Sequence, residues 1–114
     1  MRQVQQDPGK VLEFEVFEET PHAFAYRMWF ANPGEASWTP FGEGQSAGAH
    51  TTGPLPEGSQ AFVWLNVGGA PNSNYRIRIR VSQDGMTIPG GDSTCTGQTS
   101  ASGGGVCTDH LELV

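Results

Sequence analysis

The sequence predicts an all-β fold, a small antiparallel β-sandwich of about six to eight strands in an immunoglobulin-like or jelly-roll arrangement. Three observations predict it. Short runs alternate apolar and polar residues with period two, turn signals separate those runs roughly every ten residues, and no long stretch has helical periodicity.

The first strong run is "VLEFEVF", where Leu12, Phe14 and Val16 share one face while Glu13 and Glu15 occupy the other. In "HAFAYRMWF", Phe24, Tyr26, Met28 and Phe30 fall on one face and Ala23, Ala25, Arg27 and Trp29 on the opposite one. The region from Ala31 to Gln60 holds few alternating residues, so a short edge strand is expected near "AGAHTT". "AFVWLNV" is apolar on both faces apart from Asn66, which marks a central strand covered on both sides to different degrees. "YRIRIRV" sends Tyr75, Ile77, Ile79 and Val81 inward and Arg76, Arg78 and Arg80 outward. Asp84-Gly85 suits a type I′ hairpin turn, which needs positive φ at both central residues and would fold Met86 to Ile88 back on that strand. A last strand is expected in "HLELV", residues 110 to 114.

At 114 residues the chain fits one domain, residues 1–114, large enough to bury roughly two-thirds of its unfolded surface. Charged residues make up 16% and hydrophobic ones 36%. Both fall below the ~25% and ~45% usual in globular chains, and the sixteen Gly account for most of the second deficit. Twelve acidic residues against six basic ones give a net charge of -6, which argues against sequence-independent nucleic-acid binding, since that needs a positive surface. No apolar run reaches the ~18 residues of a membrane span, so no membrane insertion is expected. Residues 2–10 are polar and lack a secretory core, so any export signal is expected to have been removed.

Cys95 and Cys107 flank the Gly/Ser-rich "TGQTSASGGGV", a segment that does not order itself by its own packing. A disulfide between them would close a short loop, contribute about 3 kcal/mol and imply an oxidising compartment, extracellular or periplasmic. The same segment offers Asp92 and Asp109 as oxygen ligands for calcium, the one cofactor the sequence suggests. His22, His50 and His110 belong to no spaced pair, and Cys107 to His110 lacks the downstream Met of a blue-copper site, leaving a small metal-binding protein as a remote alternative.

Alternation places Trp29 away from the Phe24/Tyr26/Met28/Phe30 face, and Trp38 and Phe41 sit in the loop-like "SWTPFGEG". Exposed aromatics stack on the apolar C–H faces of sugar rings and also anchor protein interfaces. Trp29, Trp38, Phe41 and His50 are therefore candidate ligand contacts. Arg76, Arg78 and Arg80 form a positive comb that would either pair with Glu13 and Glu15 on a neighbouring strand or grip an anionic glycan. No G-x-S-x-G elbow, phosphate loop or unpartnered Cys points to catalysis. Glu35 and Glu43 fall in the long loop, where a carboxylate pair across a deep cleft is not expected.

"GPLPEGSQAFVWLNV" resembles the turn leading into an apolar strand in secreted immunoglobulin-like modules of bacteria. The resemblance spans fifteen residues and implies the fold and nothing further. The expected function is that of a non-enzymatic exported binding module, lectin-like towards glycans through its loop aromatics. The alternative is a protein-binding or self-assembling module, an inhibitor or a capsid or surface component, in which an oligomer would be expected.

Overall fold

Alternating side chains decide the architecture, because each strand has one face that must leave water. The structure, a computed structural model, describes residues 1–114. Its strands are β1 (Arg2–Val4), β2 (Leu12–Glu18), β3 (Ala23–Ala31), β4 (Thr39–Gly44), β5 (Gly48–Thr52), β6 (Gln60–Gly68), β7 (Asn74–Gln83), β8 (Met86–Gln98) and β9 (Gly104–Leu113). They form a five-stranded sheet of order β1-β9-β6-β3-β4 and a four-stranded sheet of order β5-β2-β7-β8. All neighbours are antiparallel except β1 and β9. The small β-sandwich expected from the sequence is therefore present.

The inward faces are those that alternation assigns. Leu12, Phe14 and Val16 from β2, Met28 from β3, Val63 and Leu65 from β6, and Ile77 and Ile79 from β7 meet in one cluster of 20 buried residues. The β7–β8 connection is a two-residue turn with positive φ at Asp84 and Gly85, as the type I′ expectation requires. The edge strand foreseen near residues 47–52 is β5, which pairs with β2.

Two expectations need correction. Nine strands form rather than six to eight, the unforeseen ones being β1 and β4. The segment between the cysteines is also largely strand: β8 runs on to Gln98 and β9 begins at Gly104, leaving 99–103 as the turn region. Hydrophobic periodicity is blind to these residues because they are Gly, Ser and Thr. Their order comes from backbone pairing with β7 and β6, which side-chain pattern does not encode.

Two seams close the sandwich. At one, β8 and β9 are stapled across the sheets by Cys95–Cys107, with a Cα–Cα distance of 6.2 Å. Tyr75 packs beside it under Gly97 and Gly105, where an added Cβ would come within 2.5 Å of its hydroxyl and 2.9 Å of its ring respectively. At the other seam, β4 faces β5, and the Tyr26 hydroxyl on β3 hydrogen-bonds His50 Nε2 on β5 at 2.7 Å. Gly42 leaves room for the His50 ring, and Gly44 and Gly48 leave room for the Tyr26 hydroxyl. The glycines of "FGEGQSAG" thus have a packing reason, and burial at this seam raises the Tyr26 phenol pKa above 10.0.

Candidate functional site

The outer face of the four-stranded sheet carries the arginine comb. β2 and β7 are neighbours, as expected, and Glu15 stands opposite Arg80. Their side chains pair at 3.6 Å, while the Arg80 guanidinium lies 5.2 Å from the centre of the Phe17 ring. Glu13 instead stands opposite Ser82, a departure from the expected acidic comb. Its place is taken by Glu19, which contacts both Arg76 and Arg78, and by Asp92, 3.2 Å from Arg78. All three guanidiniums have carboxylate partners, so the face is charged but saturated.

The outer face of the five-stranded sheet is different. Trp29 on β3 stands opposite Phe62 on β6, and Phe62 stands opposite His110 on β9, a row running across three strands. Trp38, in the β3–β4 loop, reaches over β3 to contact both Phe62 and His110. Ring centroids lie 6.0 Å apart for Trp29–Phe62, 6.2 Å for Trp38–Phe62, 5.7 Å for Trp38–His110 and 5.9 Å for Phe62–His110. These are the tilted and edge-on separations that aromatic rings prefer. Between the rings is a shallow recess of about 410 Å³ lined by these four residues. His110 Nε2 and Gln60 Oε1 are 2.9 Å apart, which places a polar group at its rim.

Two residues further along β6, on the same face, is Trp64, opposite Arg27 on β3. Arg27 turns towards Glu43 on β4, 3.7 Å away, and these residues with Ala25, Gln45 and Trp64 border a second open recess of about 540 Å³. The chain has three Trp, and all three stand on this face. Both Tyr are buried at the seams. Trp38 is 40% exposed and Val106, also on this face, 58%.

Of the residues singled out from sequence, the structure brings Trp29 and Trp38 together. Phe41 and His50 are elsewhere. Phe41 packs on Phe14 at 5.0 Å and on Phe30 at 5.9 Å as part of the core margin, and His50 sits in the Tyr26 seam. Phe62, Trp64 and His110 join this face although sequence pattern did not single them out as candidate contacts: "QAFVWLNV" is apolar on both sides, and only the register shows that Phe62 and Trp64 face outward while Ala61, Val63 and Leu65 face the core.

Asp92 and Asp109 point to different sides of the sandwich. Asp92 lies on the outer face with Arg78, whereas Asp109 is buried and receives two hydrogen bonds from Arg2, from Nε to Oδ1 and from Nη2 to Oδ2, both at 2.9 Å. Arg2 also donates to the Gly90 carbonyl, tying β1 to β8 and β9. His22 lies at one end of the sandwich between Thr20 Oγ1 and Ser73 Oγ, each 2.8 Å away, remote from the other two histidines along the fold. No three His, Cys, Asp or Glu side chains cluster as a metal site would need. Compared with known protein families, with characterised proteins and with solved structures, the chain finds no match.

Proposed function

We propose that the protein is a non-enzymatic carbohydrate-binding module whose contact surface is the outer face of its five-stranded sheet. The observation that carries this reading is the cluster of Trp29, Trp38, Phe62 and His110 around one open recess. Half-exposed rings offer apolar π-faces to the axial C–H groups of a pyranose, while the adjoining Gln60–His110 pair and the Arg27–Glu43 pair supply hydrogen bonds to hydroxyls. A binding rather than catalytic role is supported by the chemistry of the strip. Glu43, the one carboxylate bordering these recesses, is matched by Arg27, and the other carboxylate of this face, Glu112, stands opposite Gln60, four residues along β6 from Trp64. The Cys95–Cys107 disulfide supports an extracellular or periplasmic location, where glycans are abundant.

The test is a glycan-binding screen of the oxidised protein, run in calcium and in chelator, with Trp38→Ala in parallel. Selective binding that Trp38→Ala abolishes while the circular dichroism spectrum is unchanged is the expected result. It should be indifferent to chelator, because Asp92 and Asp109 are occupied by arginines. Glycan binding that survives Trp38→Ala at full strength would contradict the assignment.

A protein-facing role has one specific observation in its favour. Val106 joins the exposed rings on the same face, and a contiguous apolar patch is also what a protein interface offers. Sedimentation velocity discriminates: a concentration-dependent oligomer that Trp38→Ala disperses would favour self-assembly through this face.

A further inference from the structure

Resting on that carbohydrate reading, we infer that the ligand is an extended, neutral, β-linked pyranose chain lying along β6 across three successive recesses. A single terminal sugar held at the Trp29/Trp38/Phe62 cluster would not use this surface. The first recess is that cluster. The second, bordered by Trp64, Ala25, Arg27, Glu43 and Gln45, is one outward position further along β6. A third of about 490 Å³ continues from it, sharing Ala25 and Gln45 and adding Ala23, Asn66, Gly68 and Gly104.

Sequence alternation explains the alignment. Phe62, Trp64, Asn66 and Gly68 are the successive outward residues of β6, so the recesses follow one strand for six residue steps, about 20 Å at ~3.3 Å per residue. Outward positions are about 6.6 Å apart and the whole span is about 20 Å, which gives room for several units of an extended chain. The far recess is open because its borders are small: Ala23 and Ala25 on β3 and Gly104 on β9 leave the amides of Asn66 and Gln45 at the wall.

Three features fix the ligand class. A line of recesses open along its length admits the interior of a chain. Flat rings at successive positions suit an all-equatorial chain, which presents axial C–H groups on its ribbon faces, better than an α-linked chain that coils. The charged residues that border the three recesses, Arg27 and Glu43, face each other, so the recesses carry no net charge, and both Glu112 opposite Gln60 and the protein's net charge of -6 disfavour acidic glycans.

The experiment is isothermal titration calorimetry with oligosaccharide ladders of two to six units of β-1,4-linked glucose, xylose and N-acetylglucosamine, with an α-1,4-linked glucose hexamer as the coiled control. Affinity for at least one β-linked ladder should rise roughly tenfold or more from two to four units and then level off, as successive recesses fill. Trp64→Ala, and Ala25→Glu, which puts a charged side chain into the shared recess, should each remove that gain. Both positions face outward, so the fold remains, and short-chain binding at Trp38 remains with it. Affinity independent of length, unaffected by Trp64→Ala and Ala25→Glu yet lost in Trp38→Ala, would overturn the extended groove and leave the carbohydrate assignment standing. Absence of binding to all three ladders would overturn both.

Discussion

The two outer faces of this sandwich are built on the same β-pleat and treat their side chains in opposite ways. On the four-stranded sheet, Arg76, Arg78 and Arg80 are answered by Glu15, Glu19 and Asp92, so the face with half of the chain's six basic residues has its guanidiniums matched by carboxylates. On the five-stranded sheet the side chains are large, apolar and half-covered, and their rings touch mainly each other. Polar groups that face water cost nothing until they are buried, whereas exposed indoles retain apolar area that a ligand can remove from water. Pattern alone makes the comb the more conspicuous feature; energetics favours the aromatic strip as the proposed contact surface.

Four experiments put that contrast between the faces at risk. The largest effect concerns what both faces share. Cys95→Ala with Cys107→Ala unfastens the β8–β9 seam and is expected to lower stability by about 3 kcal/mol, read as a shift of the urea midpoint. Glycan affinity should be kept at temperatures where the variant remains folded, since neither cysteine borders the strip.

Phe62 is the ring that Trp29, Trp38 and His110 all contact. Phe62→Ala should therefore reduce glycan affinity by about 2 kcal/mol, roughly 30-fold, whereas alanine at Arg76, Arg78 or Arg80 should leave it unchanged. An arginine variant that weakened neutral-glycan binding as much as Phe62→Ala would erase the distinction between the faces.

Arg78 bridges two carboxylates with 24% of its side chain exposed. Arg78→Ala should destabilise by about 1 kcal/mol, within the range of cross-strand and partly exposed ion pairs. Raising salt from ~0.1 to ~1 M shortens the screening length from about 10 to about 3 Å and should narrow the difference between wild type and variant. The same salt change should leave the glycan dissociation constant in place, because stacking on neutral rings is not screened.

The smallest effect probes the seam beneath the aromatic sheet. The Tyr26 phenol has its pKa raised by burial, so the folded chain resists ionisation at a pH where the unfolded chain already ionises. Its contribution is present in full below pH 10.0 and is lost as pH rises from there through the folded value. Absorbance titration should show a tyrosine phase later than that of an exposed phenol, and Tyr26→Phe should remove it.

Much of the scaffold was legible because burial leaves a period-two record. β2, β3, β6 and β7 could be read with their faces, and opposed charge made β2 and β7 candidate neighbours. β4 and most of β8 and β9 left no such record, since "TPFGEG" and "GGDSTCTGQ" contain residues selected for closeness and pairing. Gly42, Gly44 and Gly97 become intelligible only when Tyr26, His50 and Tyr75 are seen above them. The site was half legible for a related reason. Trp29 and Trp38 stood out, but Phe62 and Trp64 lay in a strand apolar on both sides, where sequence cannot say which side is core. Register decides it, by setting Phe62 between Trp29 and His110.

The central claim, that the aromatic sheet and not the arginine comb meets the ligand, is most directly tested by proton–nitrogen NMR of the indole and arginine side chains. The three indole Nε1 signals, from Trp29, Trp38 and Trp64, and the Nε signals of Arg76, Arg78 and Arg80 would be followed during titration with the β-1,4-linked hexamer that binds most tightly of the three ladders and, separately, a sulfated glycan. The neutral chain should move all three indole signals and leave the three arginines in place, while the sulfated glycan should move neither set at the same concentration. Saturable shifts at Arg76, Arg78 and Arg80 with stationary indoles would contradict the claim and return the ligand role to the comb.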